Sequence, residues 1–396
     1  MNEFLLLMGA CLLGFLFGII TGLTPGIHVN TLLPLIAALP ISELQGAVGV
    51  FSLAITHTFL DFIPSSIFGI PDEDTALSIL PAHQLLLAGK GYEAIKLTVV
   101  GSLGAFIISL FLVLPLISII PMVYRVSYSY MGYILLFLVF VLIISEKSPK
   151  KIISASMVFL LSSMYGYILL SSPLLCEDGV LFPIFSGLFG ISTLSVSMRN
   201  QSKVPFQSLD SKIHLKHYEV LTNILKGGIA GILVSLLPGI GPAHATTIIS
   251  VQTSPRKFLV AVSGVNTANA VYALLVLYTV QKCRSGAVIA IEKLIHIDSL
   301  SLIILLICGL IAAGASSVAA LCLARIFLKA LPSLNYRGLM VSTCGILVIV
   351  VWIITGVTGL LVMVVGSCIG ILPVFLGVRR SHCMGVLLFP VIHYYL

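Results

Sequence analysis

The chain has 396 residues, of which 59% are hydrophobic and only 9% are charged, and its mean hydropathy is +1.16. A soluble protein of this length needs about 25% charged residues to cover its surface, so a soluble globular fold is excluded. The net charge of +7 comes from basic residues in short connections between apolar runs. This distribution indicates cytoplasmic loops of a membrane protein, and it argues against a nucleic-acid partner.

Apolar runs of about 20 residues recur along the whole chain, and most are long enough for the hydrocarbon core or nearly so. Examples are Phe4–Leu23, Ala105–Ile120, Met131–Ile144, Ser301–Leu323 and Leu339–Val365. We predict an all-α, polytopic protein of the cell membrane with about 10 membrane segments. The first run lacks a basic segment before it and a small-residue cleavage site after it, so we expect a mature membrane helix.

The first apolar run leads into a Pro-Gly pair, Pro25 and Gly26. Proline removes an amide donor and glycine permits non-helical dihedral angles, so the pair breaks the helix. A break at membrane depth survives only where protein buries it or a watery cavity lines it, and transporters use such helix ends to hold ions and anions. Polar residues surround this break: Thr24, His28, Asn30 and Thr31.

The segment Ala54–Ala88 is too polar and too rich in proline for a simple membrane span. Within it, His57 and Asp61 have the i, i+4 spacing that places two side chains on one face of a helix. Such a pair is typical of a proton or cation relay, and the alternative is a polar cluster at the membrane surface.

Two basic segments orient the chain. They are Glu146–Lys151 and the midpoint stretch Met198–His217, and two apolar runs separate them. Both are therefore predicted to be cytoplasmic. We divide the chain into residues 1–197, an N-terminal repeat with extra membrane helices; residues 198–217, a basic cytoplasmic linker; and residues 218–396, a C-terminal repeat.

A second Pro-Gly pair, Pro238 and Gly239, lies 213 positions after the first. Gly18–His28 aligns with Gly231–Gly241 at this offset, which indicates an internal repeat. Polar residues follow this break as well: His244, Thr246 and Thr247. A single Pro-Gly pair is commonly a packing kink, but two at one offset, each followed by His and Thr, favour a binding site.

Charges near the two breaks differ. No Lys or Arg precedes Lys90, whereas Lys216, Lys226, Arg256 and Lys257 flank the second break. We therefore predict two inverted repeats, each with a Pro-Gly-broken re-entrant hairpin that enters from the opposite face.

A polar patch in the second half interrupts an otherwise apolar helix. It contains Asn266, Thr267 and Asn269, which we expect to line a cavity or to bridge helices. The eight cysteines show no metal-ligand spacing, and no Walker loop, HExxH or GxSxG motif occurs. We therefore predict no catalytic residues, no metal and no cofactor.

The chain resembles the large membrane subunit, TctA, of tripartite tricarboxylate transporters. The resemblance rests on the two Pro-Gly segments and on the stretch Phe68–Gly91, which is similar to the family's Gly-Ile-Pro-Gly element, short helix and Lys-Gly turn. Asp72 stands where the family typically has glycine. The resemblance implies a small membrane subunit and an extracytoplasmic binding protein as partners. A weaker resemblance, to families that recycle undecaprenyl or polyprenyl phosphate, rests on a Pro-Gly-Ile hairpin near the N-terminus.

These observations predict a non-enzymatic secondary transporter, embedded in membrane lipid, that moves an organic anion by alternating access of one repeat against the other. A Na⁺ or H⁺ gradient would drive it, with His57, Asp61, Asn266, Thr267 and Asn269 coupling the ion or lining the cavity. The alternatives are a translocase for a lipid-linked phosphate, and a membrane enzyme or scaffold without transport. The sequence allows a homo-oligomer and does not decide the oligomeric state. The predicted substrate-binding residues are Thr24, Pro25, Gly26, His28, Asn30, Thr31, Pro238, Gly239, Gly241, His244, Thr246 and Thr247.

Overall fold

The computed structural model describes residues 3–24, 42–69, 75, 79–146, 148–172, 180–199, 205–210, 212–237, 241–242, 245–246, 254–283, 285–331 and 336–396. Every regular element within these residues is a helix, which confirms the predicted all-α class. Eight helices in this part of the chain are long and apolar enough to cross a membrane, and two shorter apolar helices accompany them. The predicted multi-pass membrane location is thereby confirmed.

The helices are numbered here in chain order. They are α1 (Glu3–Leu23), α2 (Glu43–Leu60), α3 (Phe62–Phe68), α4 (Ile79–Leu87), α5 (Gly91–Tyr128), α6 (Met131–Ile144), α7 (Pro149–Leu170), α8 (Leu181–Phe185), α9 (Ser192–Arg199), α10 (His217–Leu236), α11 (Pro255–Val280), α12 (Gly286–Leu294), α13 (Ser299–Ala330), α14 (Tyr336–Leu376) and α15 (Gly385–Tyr395). A π-helical turn joins α8 to α9, and a 3₁₀ turn, Arg380–Met384, precedes α15. Gly356 interrupts α14 with a φ of 65°, a conformation that glycine adopts readily.

Equivalent helices begin and end at equivalent positions in the two halves. Helix α1 ends at Leu23 and α10 ends at Leu236, which are 213 positions apart. The following helices, α2 and α11, have Ser42 and Ser254 as their N-terminal caps, 212 positions apart. The ends of α1 and α10 therefore follow the offset of the sequence match, and the caps of α2 and α11 differ from it by one position.

Helix α1 packs closely along α2 through glycines one turn apart. A methyl group at Gly18 would lie 2.5 Å from Thr56 Cβ, and one at Gly22 would lie 2.6 Å from Leu60 Cβ. Because the contacts advance in the same direction along both helices, the helices are parallel. Thr24, after the end of α1, and the cap of α2 consequently lie at opposite ends of the pair.

Helices α10 and α11 repeat this arrangement in the second half. A methyl group at Gly227 would lie 2.8 Å from the Ala261 carbonyl oxygen, and one at Gly231 would lie 2.7 Å from Ala268 Cβ. These helices are parallel as well. The same glycine-mediated contact therefore builds both halves.

The two helix pairs run in opposite directions. Helix α11 begins beside the start of α5, where Arg256 Nε donates to Glu93 Oε1 at 2.8 Å. Helix α13 ends at this same level, since the Arg325 guanidinium lies 5.2 Å from the centre of the Tyr92 ring. Helix α2 runs with α13, because its residue Phe51 contacts Gly309 and Thr56 contacts Ser316. Helix α2 is therefore antiparallel to α11.

The halves interleave rather than form separate bodies. Ser102 of α5, from the first half, donates its hydroxyl to the Ser263 carbonyl of α11 at 3.2 Å. Conversely, α13 from the second half packs against α2. One apolar core joins α1–α5 with α10–α13, and we name this unit the core bundle.

The remaining helices form a second unit, the flanking bundle, which contains α6–α9, α14 and α15. Its apolar core joins α7, α8, α14 and α15. Tyr165 on α7 donates its hydroxyl to the Val362 carbonyl of α14 at 2.6 Å. A smaller apolar cluster, including Leu135, Val234 and Leu388, lies between the two bundles. Both repeats thus contribute helices to each bundle.

Candidate functional site

Polar residues at the C-terminal end of α2 are buried. Thr56 is 0% exposed, His57 8%, Thr58 7% and Asp61, which follows the helix, 4%. Buried polar groups need hydrogen-bond partners because they have left water. The partners described below lie on α1, α11 and α13, so this end of α2 is the meeting point of four helices.

Two contacts join α2 to its repeat equivalent, α11. The Asn266 side-chain amide donates from Nδ2 to Asp61 Oδ2 at 2.9 Å. The hydroxyl oxygens of Thr58 and Thr267 lie 3.0 Å apart. Each contact joins residues that are more than 200 positions apart in sequence. We name the four residues, Thr58, Asp61, Asn266 and Thr267, the inter-repeat cluster.

The inter-repeat cluster lies near the middle of a membrane span. Asn266 and Thr267 are near the centre of α11, which has 26 residues. At a rise of 1.5 Å per residue, Asn266 lies about 17 Å from the start of that helix, close to half the thickness of a hydrocarbon core of about 30 Å. Ionisable residues at such a depth are costly and usually functional.

His57 connects the cluster to α1. Its Nδ1 lies 3.1 Å from Thr21 Oγ1, in the last turn of α1. Thr21 precedes Pro25 by four residues, so the imidazole contacts the turn that leads into the first Pro-Gly pair. His57 thus links the last turn of α1 to the turn of α2 that precedes Asp61.

Thr56 connects the cluster to α13. Ser316 Oγ lies 3.0 Å from Thr56 Oγ1, and both residues are fully buried. Neither Ser316 nor Thr21 was predicted from the sequence as a site residue. Thr21 lies inside the repeated segment that begins at Gly18, but its counterpart there is Val234, and nothing in the local sequence distinguishes Ser316 from its neighbours.

The helix is interrupted where Asp61 lies. Helix α2 ends at Leu60 and α3 begins at Phe62. Pro64 has no amide hydrogen and therefore leaves the Leu60 carbonyl without its usual helical donor. The backbone at Asp61 itself stays right-handed helical, so the interruption is confined to this one missing donor.

The cluster is not duplicated by the repeat. At the offset of 212 positions that relates the caps of α2 and α11, His57 corresponds to Asn269 and Asp61 to Ala273. Both counterparts lie on α11, and Ala273 is buried. The described residues therefore hold a carboxylate on one side only of the pseudo-symmetric interface.

Four other predicted residues are described. Thr24 is exposed, Gly241 and Asn269 are half-buried, and Thr246 is buried with its hydroxyl donating to the Pro242 carbonyl at 2.7 Å. The remaining predicted residues lie outside the described residues: Pro25, Gly26, His28, Asn30, Thr31, Pro238, Gly239, His244 and Thr247. The roles assigned to all of these positions stay predictions.

Comparison with known proteins agrees with this architecture. The family described as the tripartite tricarboxylate transporter TctA family matches residues 8–385. An uncharacterized protein of Methanocaldococcus jannaschii is 30% identical over 397 residues, covering 97% of this chain and 98% of that protein. No solved structure matches the chain. The match over nearly the whole chain confirms the resemblance seen in the sequence, and the chain belongs to the TctA family of membrane transporters.

Proposed function

We propose that this chain is a secondary transporter that moves an organic anion, a carboxylate, across the membrane in response to an ion gradient. The observation that carries the proposal is the contact between Asp61 and Asn266, because it places one carboxylate between two antiparallel repeats at mid-membrane depth. Membership of a transporter family supports the same conclusion.

Asp61 is assigned to the coupling cation. A carboxylate inside a membrane is stabilised when a proton or a metal cation neutralises it. The hydroxyls of Thr58 and Thr267 are oxygen groups suited to Na⁺, and they lie beside Asp61 on the same two helices. Protonation of Asp61 would serve a H⁺-driven cycle equally well, so the ion is decided by experiment.

The transported anion is assigned to the Pro-Gly turns. Helices α1 and α10 end two residues before Pro25 and Pro238, respectively. These two helix ends expose carbonyl oxygens, so the amides that would bind a carboxylate are assigned to the residues that follow each Pro-Gly pair. The contact between Thr21 and His57 would then connect the anion site to the cation site.

The interleaved helices favour motion of the core bundle against the flanking bundle. Moving one repeat against the other would separate Ser102 from Ser263 and Thr56 from Ser316, which are buried contacts between tightly packed helices. The proposed mechanism is still alternating access. The two moving bodies are the core bundle and the flanking bundle, each of which contains helices from both repeats.

The test is uptake of citrate into proteoliposomes by purified wild type and by Asp61→Asn. The variant should lose gradient-driven uptake at least tenfold while retaining citrate exchange, because an amide neither binds a proton nor holds Na⁺ tightly. Asp210→Asn, at an exposed carboxylate, is the matched control and should behave as wild type. Full uptake by Asp61→Asn, with unchanged dependence on Na⁺ and pH, would refute the assignment.

Two further outcomes decide the alternatives. Translocation of a polyprenyl phosphate, with no uptake of any carboxylate, would favour the lipid-carrier hypothesis. Uptake that requires an added small membrane subunit and an extracytoplasmic binding protein would support the partners implied by the family, whereas uptake by the purified chain alone would argue for independent function.

A further inference from the structure

The turn between α14 and α15 is a concentration of positive charge in the flanking bundle. It contains Arg379, Arg380 and His382, and the backbone there is a 3₁₀ turn. Ser381 is 5% exposed and His382 is 1% exposed. Arg379 and Arg380 are half-buried beside these two buried residues, so their guanidinium groups are partly removed from water.

Glu146 neutralises part of this charge. Its Oε1 accepts from Arg379 Nε at 3.1 Å and lies 3.0 Å from His382 Nε2. Arg379 is further satisfied by the Leu142 carbonyl and by the Ser145 hydroxyl. One carboxylate is thus shared between two of the three basic side chains.

Arg380 is left with a neutral partner. Its Nη1 donates to Thr193 Oγ1 on α9, and Thr193 is 6% exposed. A guanidinium has five N–H donors, so most of its donors remain available. Among the residues that the structure describes, no carboxylate pairs with Arg380, and burial lowers the pKa of its guanidinium. A half-buried arginine whose partner is neutral has the donors and the charge to bind an anion.

The helix that Arg380 contacts, α9, meets the core bundle at the residue next to Thr193. Leu194, adjacent to its partner Thr193, lies 3.4 Å from the position that a side chain at Gly69 would occupy. Gly69 ends α3 in the core bundle and begins the Gly69-Ile70-Pro71 element. Arg380 thus belongs to the flanking bundle, and its partner helix α9 touches the core bundle at Gly69, where α3 ends.

We propose that Arg380, positioned by Thr193, binds a carboxylate of the transported anion at the cytoplasmic side of the seam between the two bundles. The proposal rests on the proposed function. The cytoplasmic side follows from Glu146, which begins a predicted cytoplasmic loop and contacts the neighbouring Arg379. A planar guanidinium matches a carboxylate in a two-bonded geometry that lysine does not reproduce.

The seam favours the transported anion over a lipid headgroup. The residues that follow Arg380 are almost fully buried, with Cys383 and Met384 at 0% exposure, and Thr193 on the opposing helix is buried as well. A lipid phosphate would instead be expected at basic residues on the exposed surface, such as Lys150.

The experiment measures citrate transport in proteoliposomes of known orientation, with citrate supplied from either side. Arg380→Gln should raise KM for citrate at the cytoplasmic face roughly tenfold or more and change KM at the other face little, because one charged contact is lost on one side. Arg380→Lys should recover part of this loss. Lys150→Gln, which removes an exposed charge at the same end, is the matched control. Equal KM values for Arg380→Gln and wild type at both faces would overturn the proposal.

A binding measurement separates this proposal from the transport function. Citrate should raise the thermal unfolding temperature of purified wild type and not that of Arg380→Gln. If wild type shows no citrate uptake, either alone or with an added small membrane subunit and binding protein, but this difference is present, the proposed function fails and the anion site stands. An effect of Arg380→Gln that depends only on phosphatidylglycerol in the vesicles would assign the site to lipid and overturn the proposal, as would equal stabilisation of both proteins by citrate.

Discussion

At the scale of single residues, carboxylates in this protein occupy two kinds of position. Asp61 lies in the inter-repeat cluster and contacts a neutral amide. Glu146 lies outside the membrane spans and is shared by Arg379 and His382. Burial alone would raise the pKa of the Glu146 carboxyl, but its hydrogen bonds from His382 and Arg379 outweigh burial and hold the pKa below its usual range. The two acids therefore differ in their partners: Asp61 contacts a neutral amide, whereas Glu146 holds the turn before α15 through two basic side chains.

The stability contributed by Glu146 should depend on pH. Because its pKa is lower in the folded protein, the unfolded chain binds more protons, so this contribution is present above the ordinary pKa of about 4.3 and is lost as pH falls through the folded value. We expect Glu146→Gln to unfold at a lower temperature than wild type at pH 7, with a gap that narrows towards pH 4. Thermal unfolding in detergent measures this difference in unfolding temperature at each pH, with Asp210→Asn as the control variant. A difference in unfolding temperature that stays the same at every pH would contradict this prediction.

At the scale of helices, glycine spacing decides how the elements pack. Gly18 of α1 lies against Thr56 and Leu53 of α2, and Gly231 of α10 makes the equivalent contact with α11. In lipid, such small residues allow two helix backbones to approach closely. The sequence match at 213 positions predicted equivalent breaks, and the ends of α1 and α10 agree with it. The parallel packing was not predictable, because the direction of a neighbouring helix depends on the whole chain.

Two glycines of α1 provide a matched test of this packing. A methyl group at Gly18 would lie 2.8 Å from the Leu53 carbonyl oxygen, whereas Gly9 has open space around it. Gly18→Ala should destabilise the protein by roughly 1–3 kcal/mol through overpacking. Gly9→Ala should be neutral or stabilising by up to about 1 kcal/mol, since alanine favours helix. Unfolding temperatures of the two variants check the prediction, and equal values would show that α1 does not pack on α2 as described.

At the scale of the whole molecule, the two repeats are interwoven into a core bundle and a flanking bundle. The inter-repeat cluster lies inside the core bundle, and Arg380 lies inside the flanking bundle. Relative motion of the bundles would consequently change the distance between the cation site and Arg380. Motion within the core bundle would instead break its buried hydroxyl contacts.

Crosslinks between and within the bundles distinguish these motions. Ile79 and Leu194 belong to different bundles and approach each other across Gly69. In a cysteine-free background, Ile79→Cys with Leu194→Cys should stop citrate transport when joined by a short bifunctional thiol reagent. A protein that retains only Cys11 and Cys308, which lie together inside the core bundle, should keep transporting after the same treatment. The opposite pattern would locate the motion inside the core bundle.

The sequence by itself determined the membrane environment, the all-α class and the repeat, because hydropathy and local motifs depend on neighbouring residues alone. It also singled out Asp61, Asn266 and Thr267 as polar residues in apolar surroundings. Only the tertiary structure decided that Asn266 contacts Asp61 and that Ser316 contacts Thr56. It also decided that Glu146 pairs with Arg379, whereas Arg380 pairs with Thr193. These pairs are separated by some 190 to 260 positions. No local pattern encodes such a separation, and the partners are chosen by the way the helices of two inverted repeats interleave.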